Sequence, residues 1–226
     1  MKLKSAPWSY TLQHAEKEWC SEGVPVLKAT FSVPQCQGLS HAQRRLNRFY
    51  LQYNRSFSFY CTHTLYPEAL ALRRADASDL CAEAALDTHL TYQCGDCLST
   101  YTDCTEWCKT PQALTLRHSE NWRGGVPLSL RECFPPSDSL RAIRRRCVEA
   151  AMEQCSQQRS TDLYRFRPKL LTHLRRSFNP RSFYLTEEGL CFFYQPFAIA
   201  EGGVVCPTFF LPFSQETGPF PPLSAP

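Results

Sequence analysis

The sequence predicts an α+β fold in which helices pack on one face of an antiparallel sheet. In several stretches apolar residues recur every three or four positions, as in amphipathic helices. Other stretches are short, alternate between apolar and polar residues and end in glycine turns, which is typical of antiparallel strands. With 226 residues, of which 43% are apolar, the chain is long enough to bury a hydrophobic core without cross-links.

Two strands and a long helix are expected first. Trp8–Trp19 and Val24–Val33 alternate in the manner of strands. Ser40 and Gln43 form a capping-box signature, which marks the start of a helix. A second helix, Pro67–Ala77, is expected after a break, because proline suits a first helical turn. The apolar stripe of the first helix consists of Ala42, Leu46, Phe49, Tyr53, Phe57 and Tyr60.

The middle of the chain predicts four antiparallel strands. Gly95-Asp96 and Gly124-Gly125 are the turn signals between them. The alternation in Leu128-Ser129-Leu130 predicts that the last strand buries one face. The four strands are Leu86–Gln93, Leu98–Trp107, Ala113–Glu120 and Val126–Cys133.

Two more helices and an aromatic ribbon are expected to follow. One helix begins near Ser139, and another begins at Pro168 and ends before Asn179-Pro180. Beyond them, Ser182–Thr186, Leu190–Gln195 and Thr208–Phe213 are expected to be strands that complete the main sheet. The Pro-rich residues 218–226 are expected to be disordered.

Positive charge is concentrated late in the chain. Between Arg141 and Arg181 there are eleven Lys and Arg residues against three acidic ones. These residues either form the solvated faces of two helices or make an anion-binding module around Arg144–Arg146. Nucleic acid is not the favoured partner, because the aromatic residues follow strand or helix periodicity rather than forming stacking platforms.

The chain has thirteen cysteines, an odd number that cannot pair completely. Many stand where a small core residue would serve, so mostly reduced thiols are expected. Cys94-Gly-Asp-Cys97 with Cys104 and Cys108 is the sharpest chemical candidate, as a zinc site or a thiol-redox pair. That possibility is the alternative function, and otherwise no cofactor, metal ligand or catalytic residue is assigned.

The sequence lacks the common catalytic motifs, so we expect that the protein is not an enzyme. No H-E-x-x-H, G-x-S-x-G, P-loop or G-x-G-x-x-G pattern is present. Met1–Tyr10 lacks the apolar core of a signal peptide, and no apolar run is long enough to cross a bilayer. The expected location is cytoplasmic as the sequence stands, and extracytoplasmic if an export signal precedes it.

The closing stretch carries a family resemblance. Asn179–Ala200 contains Phe183-Tyr184-Leu185, a Glu188-Gly189 turn, a second aromatic strand and Pro196-Phe197. This stretch resembles the C-terminal domain family of the anti-sigma-V factor RsiV, which also forms the non-catalytic part of the peptidoglycan deacetylase PdaC. Gly124–Phe134 is similar to a hairpin of that family, and Arg45-Leu46-Asn47 to the start of its first helix.

The resemblance implies a binding function. A domain similar to the RsiV ectodomain would recognise a protein or a peptidoglycan-related ligand without catalysis. It also implies two subregions, residues 1–135 and residues 136–217, which share a core. The short Glu201-Gly202-Gly203 segment and the cysteine content depart from the family pattern, so lysozyme is not carried over as the ligand.

Overall fold

The computed structural model describes residues 9–76, 81–108, 113–157, 167–199, 206–214 and 219. Most elements confirm the prediction, and the fold is α+β. The helices are α1 (His41–Tyr60), α2 (Tyr66–Asp76), α3 (Leu140–Gln157) and α4 (Arg167–Ser177). The strands are β1 (Tyr10–Ser21), β2 (Val24–Cys36), β3 (Ala82–Cys94), β4 (Cys97–Trp107), β5 (Leu114–Arg123), β6 (Val126–Pro127), β7 (Phe183–Leu185), β8 (Gly189–Phe193) and β9 (Thr208–Pro212).

The larger sheet is mixed rather than purely antiparallel. Its strand order is β1-β2-β3-β4-β5-β6, so every strand lies beside its neighbours in sequence. β1 and β2 form an antiparallel hairpin, whereas β2 and β3 run parallel from the Leu27–Ala82 pair to the Ser32–Asp87 pair. A parallel connection needs a crossover, and here α1 and α2 supply it by packing on β2. Strand periodicity could not reveal whether β3 runs parallel or antiparallel to β2.

The first helix begins as predicted but does not break before Pro67. Ser40 and Gln43 form both halves of the capping box. The five residues Cys61–Leu65 then adopt a π-helix, and α2 follows directly. The amide of Tyr66 donates to the carbonyl oxygen of Cys61. A π-helical turn uses i to i−5 hydrogen bonds. The helix continues through Pro67, which has no amide hydrogen.

The predicted strand Val126–Cys133 is wrong beyond its first two residues. β6 contains only Val126 and Pro127, and Leu130–Cys133 form a 3-10 helix. The main-chain nitrogen of Ser129 donates to Glu132 Oε2 at 2.7 Å, which closes a second capping box. Leu128 and Leu130 are both buried. Their spacing therefore imitated strand alternation, while the local polar contacts favoured a helical turn.

The aromatic ribbon forms strands as predicted, but it does not complete the main sheet. β7, β8 and β9 make a separate antiparallel sheet of three strands. β7 pairs with β8 from the Phe183–Phe192 pair to the Leu185–Leu190 pair, and β8 pairs in turn with β9. At Gly189 an added Cβ would lie 2.2 Å from the carbonyl oxygen of Leu211, so only glycine allows this close pairing.

The chain divides into two compact units. The first comprises residues 1–7, 90–101 and 116–226, and the second comprises residues 8–89 and 102–115. In the first unit, α3, α4 and the small sheet enclose a core that includes Ile143, Leu174 and Phe192. In the second unit, the rings of Phe31 and Phe57 meet edge to face at 5.6 Å between β2 and α1.

The subregions 1–135 and 136–217 stay a prediction. The predicted disordered tail, 218–226, lies outside the described residues apart from Pro219. Within the described part of the chain, no helix is both long and apolar enough to span a bilayer.

Candidate functional site

A cavity of about 860 Å³ in the first unit brings together the two segments that carry the family resemblance. We call it the β5 cavity. One wall is residues 117–121 of β5, and a second is residues 127–131. Residues 179–183 form the third, with Phe193 and Gln195 of the aromatic ribbon. Its size is in the range typical of small-ligand sites.

A buried hydrogen-bond network joins β5 to β7 at the cavity. Ser99 Oγ donates to Asn121 Oδ1 at 2.6 Å, and Asn121 Nδ2 donates to the carbonyl oxygen of Phe183 at 2.8 Å. The main-chain nitrogen of Leu185 donates to Ser99 Oγ at 2.8 Å. Asn121 is 5% exposed and Ser99 is fully buried. Buried polar groups cost free energy when they are unpaired, so this network favours a single position of β7 against β4 and β5.

Arg117 is held at the cavity by aromatic and neutral polar groups. Its guanidinium lies 4.1 Å from the ring centre of Tyr101 and 5.9 Å from that of Phe193. Nη1 donates to Thr208 Oγ1 at 3.2 Å. The main chain of Arg117 exchanges two hydrogen bonds with the side-chain amide of Gln195, which anchors β5 to the aromatic ribbon. The positive charge therefore has a fixed position before any ligand arrives.

Glu120 has a perturbed acidity. Burial raises the pKa of its carboxyl to about 7, and the nearby Arg181 guanidinium opposes that shift. Near neutral pH a large fraction of this side chain is therefore protonated, and it can donate as well as accept a hydrogen bond. The carboxyl of Glu120 is the one acidic group among the described residues that line the cavity, against three arginines, Arg117, Arg131 and Arg181.

The cavity is therefore suited to an anionic group with hydrogen-bonding neighbours. Guanidinium groups bind carboxylates and phosphates in a two-pronged geometry. Asn179, Ser129 and Gln195 add neutral donors and acceptors, and Phe193 adds an aromatic face. Such a mixture of charge, amide groups and apolar surface is common in binding sites.

Phe197, two residues after the lining residue Gln195, is unusual in two respects. Its side chain is 56% exposed, and its backbone has a positive φ of 63°. Bulky residues rarely adopt this left-handed conformation, which costs of the order of 1–3 kcal/mol. Strained, exposed residues of this kind concentrate at recognition sites. Phe197 belongs to the Pro196-Phe197 pair that carries part of the resemblance.

The four cysteines of the alternative function do not form a metal centre. Cys94 ends β3, and Cys97 follows it across the Gly95-Asp96 turn. Cys97 and Cys104 lie seven residues apart on β4, which corresponds to about 23 Å and to opposite faces of the strand. In the described residues, no group of three or more His, Cys, Asp or Glu side chains is positioned to hold a metal ion.

The buried cysteines behave as small core residues. Burial raises the pKa of Cys133 to about 12, that of Cys147 to about 12, and that of Cys61 to about 11. Burial also raises the pKa of Cys97, although a hydrogen bond with Arg123 opposes the shift. None of the thirteen cysteines, all in the described part of the chain, forms a disulfide bond. Protonated thiols are poor nucleophiles and poor metal ligands.

The structure separates the arginines of the predicted anion module. Arg146 Nη1 lies 2.6 Å from Asp138 Oδ2 and Nη2 lies 3.3 Å from Oδ1, so this residue is neutralised within the fold. Arg144 donates to the carbonyl oxygen of Arg175. Arg144 and Arg145 line a second cavity, on α3 and α4, whereas Arg146 does not.

Sequence reasoning missed the residues of the β5 cavity. Arg117 and Glu120 lie in a predicted strand, where alternating charges usually indicate a solvent face. The available signal was Asn121, a polar residue beside the apolar Trp122 at the strand end. The acidity of Glu120 depends on burial, which no local pattern encodes.

No protein-family model matches the chain, and no curated protein matches it in sequence. Solved structures share its architecture, among them two DUF3298 proteins. A DUF3298 family member from Bacteroides fragilis NCTC 9343 matches with a TM-score of 0.67 at 12% identity, covering 93% of this chain and 92% of the other. A DUF3298 family protein from Pseudomonas aeruginosa PAO1 matches with a TM-score of 0.63 at 13% identity, covering 92% of each chain.

These matches confirm the resemblance at the level of the fold. Identities of 12% and 13% are too low to transfer a function between proteins. The chain has, over more than nine tenths of its length, the fold of DUF3298 proteins, the family of the RsiV and PdaC C-terminal domains.

Proposed function

We propose that this chain is a non-catalytic recognition domain that binds a protein or a cell-envelope component at the β5 cavity. The observation that carries the proposal is that residues 127–131 and residues 179–183 both line this cavity. Both segments fall within the stretches Gly124–Phe134 and Asn179–Ala200, which resemble the RsiV and PdaC domains. A binding role accounts for the position of both segments at the same cavity.

The geometry supports binding of a ligand that presents an anionic group. Arg117 is held against Tyr101 at 4.1 Å, so its charge needs little reordering when a ligand binds. Arg131 and Arg181 are exposed at the cavity. Fixed charges reduce the entropy lost on association, which favours affinity. Peptidoglycan fragments with free carboxylates match this arrangement, as does an acidic loop of a partner protein.

A binding titration tests the proposal. Calorimetry with soluble muropeptides that carry free carboxylates should give saturable binding. Arg131→Glu combined with Arg181→Glu should weaken that binding by about tenfold or more, since two attractive charges become repulsive. The matched control is Arg44→Glu with Arg48→Glu on α1, which makes the same change in net charge.

Two results would count against this function. One is the absence of binding to these muropeptides at millimolar concentration. The other is an equal loss of affinity in the cavity variant and in the α1 control, which would indicate attraction to net charge rather than to a site.

A catalytic role is the second candidate, and Glu120 is the observation that favours it. A carboxyl with a pKa near 7 in a cavity is typical of a general acid or base. The described lining residues offer no second carboxylate, which paired-carboxylate hydrolysis requires. Incubation of muropeptides with the protein, followed by product analysis, separates the two roles. Product that disappears with Glu120→Gln would favour catalysis.

A further inference from the structure

A second cavity, of about 700 Å³, lies on the surface formed by α3 and α4 and is strongly cationic. We call it the α3–α4 groove. Its described lining residues include four arginines and a single carboxylate, Glu149. None of its residues lines the β5 cavity. The four arginines are Arg141, Arg144, Arg145 and Arg175.

The spacing on α3 explains why these residues share a face. Arg141, Arg145 and Glu149 follow at intervals of four, and Val148 and Met152 follow on the same side. Residues three and four apart are neighbours on a helix surface. The lining from residue 141 to residue 152 spans about 17 Å along the axis, which corresponds to three turns of a partner helix.

The groove has an apolar floor below its arginines. Val148 is 2% exposed, and Met152 and Leu171 are partly buried against the core of the unit. The rim consists of exposed guanidinium groups. The groove therefore offers apolar contact at its base and positive charge at its edges.

The charges in the groove are poorly compensated within the fold. Arg145 Nε is 3.8 Å from Glu149 Oε1 in an exposed pair, which contributes little. Among the described residues, neither Arg141 nor Arg175 has an ion-pair partner. Like charges four residues apart on a helix, such as Arg141 and Arg145, repel each other. An anionic partner would relieve that repulsion.

One arginine of the groove has a structural role. Arg144 donates to the carbonyl oxygen of Arg175, one of the last four carbonyls of α4. These carbonyls have no partner within their own helix. Arg144 therefore caps α4, and the variants that test the groove keep this residue.

We propose that the α3–α4 groove binds an acidic amphipathic helix of a partner protein. Apolar side chains of that helix contact Val148, Met152 and Leu171, and its Asp and Glu residues pair with Arg141, Arg145 and Arg175. This is the helix-in-groove mode of recognition with complementary charge at the rim. The site is independent of the β5 cavity.

Two other anionic partners fit the groove less well. A nucleic acid presents phosphates but nothing apolar for the floor, and the described lining residues contain no aromatic side chain on which a base could stack. An anionic bilayer is broad, whereas this surface is concave and its apolar residues lie at the base. Charge and shape together favour a narrow amphipathic ligand.

Fluorescence anisotropy with a labelled synthetic peptide tests the site. The probe is a helix of about 14 residues with Leu at i, i+3, i+4 and i+7 and Glu beside them. Wild-type protein should bind it saturably. Arg141→Glu with Arg175→Glu should lower affinity by about tenfold or more, because two attractive charges become repulsive.

The matched control is Lys169→Glu with Arg176→Glu. Both residues are exposed on α4 outside the groove, and the net charge changes equally. This control should weaken binding by less than about threefold, since the new charges lie outside the site. An equal loss in the two double variants would overturn the proposal.

A second measurement uses only the wild-type protein and so does not depend on variant folding. The same peptide with every Glu replaced by Gln should lose binding, and so should a peptide with every Leu replaced by Ser. Unchanged binding of either peptide would refute the proposed chemistry. So would failure of the acidic peptide alongside groove-dependent binding of phosphatidylserine vesicles or a DNA oligonucleotide.

Discussion

The β5 cavity and the α3–α4 groove lie in the same compact unit and both gather arginines, but they hold them differently. Arg117 is fixed by two aromatic rings and by Thr208, and Asn121 of the same strand is buried and hydrogen-bonded to Ser99 and Phe183. Arg141 and Arg175 are exposed and, among the described residues, lack a carboxylate partner. Arg117 and Asn121 of the cavity are thus held in place by the fold. Arg141 and Arg175 of the groove can be changed with little effect on the fold.

The largest effect expected from this difference is at Asn121. Replacing it with Ala leaves the Phe183 carbonyl oxygen without the donor Asn121 Nδ2 and the Ser99 hydroxyl hydrogen without its acceptor in a buried site. We expect the free energy of unfolding to fall by about 2–4 kcal/mol, because each unpaired buried group costs about 1–3 kcal/mol. Urea denaturation measures the change. Ser119→Ala is the control, since Ser119 also donates to a main-chain oxygen but in an exposed position, and it should cost less than about 1 kcal/mol. Equal losses of unfolding free energy in the two variants would contradict the difference between buried and exposed polar groups.

A smaller, pH-dependent effect is expected at Glu120. Its pKa is raised from 4.5 to about 7, so its contribution to stability is complete below pH 4.5 and is lost as pH rises through 7. Glu120→Gln cannot ionise and should be more stable than wild type at pH 8 by up to about 3 kcal/mol, with little difference at pH 4.5. Thermal unfolding between pH 4.5 and pH 8 measures the difference in stability between the variant and the wild type. A stability difference that stays constant with pH would show that Glu120 titrates normally.

The smallest effect is expected in the groove. Arg141→Ala with Arg175→Ala removes exposed charges that repel their neighbours, so the free energy of unfolding should change by no more than about 0.5 kcal/mol. Urea denaturation at low and high salt checks this. A loss above 1 kcal/mol would place these arginines among the structural residues, and the comparison between the two cavities would fail.

Local patterns predicted those elements whose contacts are local. The capping box joins Ser40 to Gln43 within one helical turn, and both hydrogen bonds appear in the structure. α3 and α4 also follow their apolar spacing, and the aromatic ribbon forms strands. The same reasoning failed at Leu128–Leu130, where a two-residue apolar period does not distinguish a strand from a 3-10 turn closed by Ser129 and Glu132.

The sequence alone determined the fold class and most of the helices and strands, since these depend largely on residues close in the chain. Only the tertiary structure decided the parallel pairing of β2 with β3, the separate sheet of β7 to β9, and the β5 cavity. These features join segments that are distant in sequence, such as Asn121 and Phe183. Their stability comes from burial and from non-local hydrogen bonds. For the same reason the pKa of Glu120 is set by what surrounds it in space and not by its neighbours along the chain.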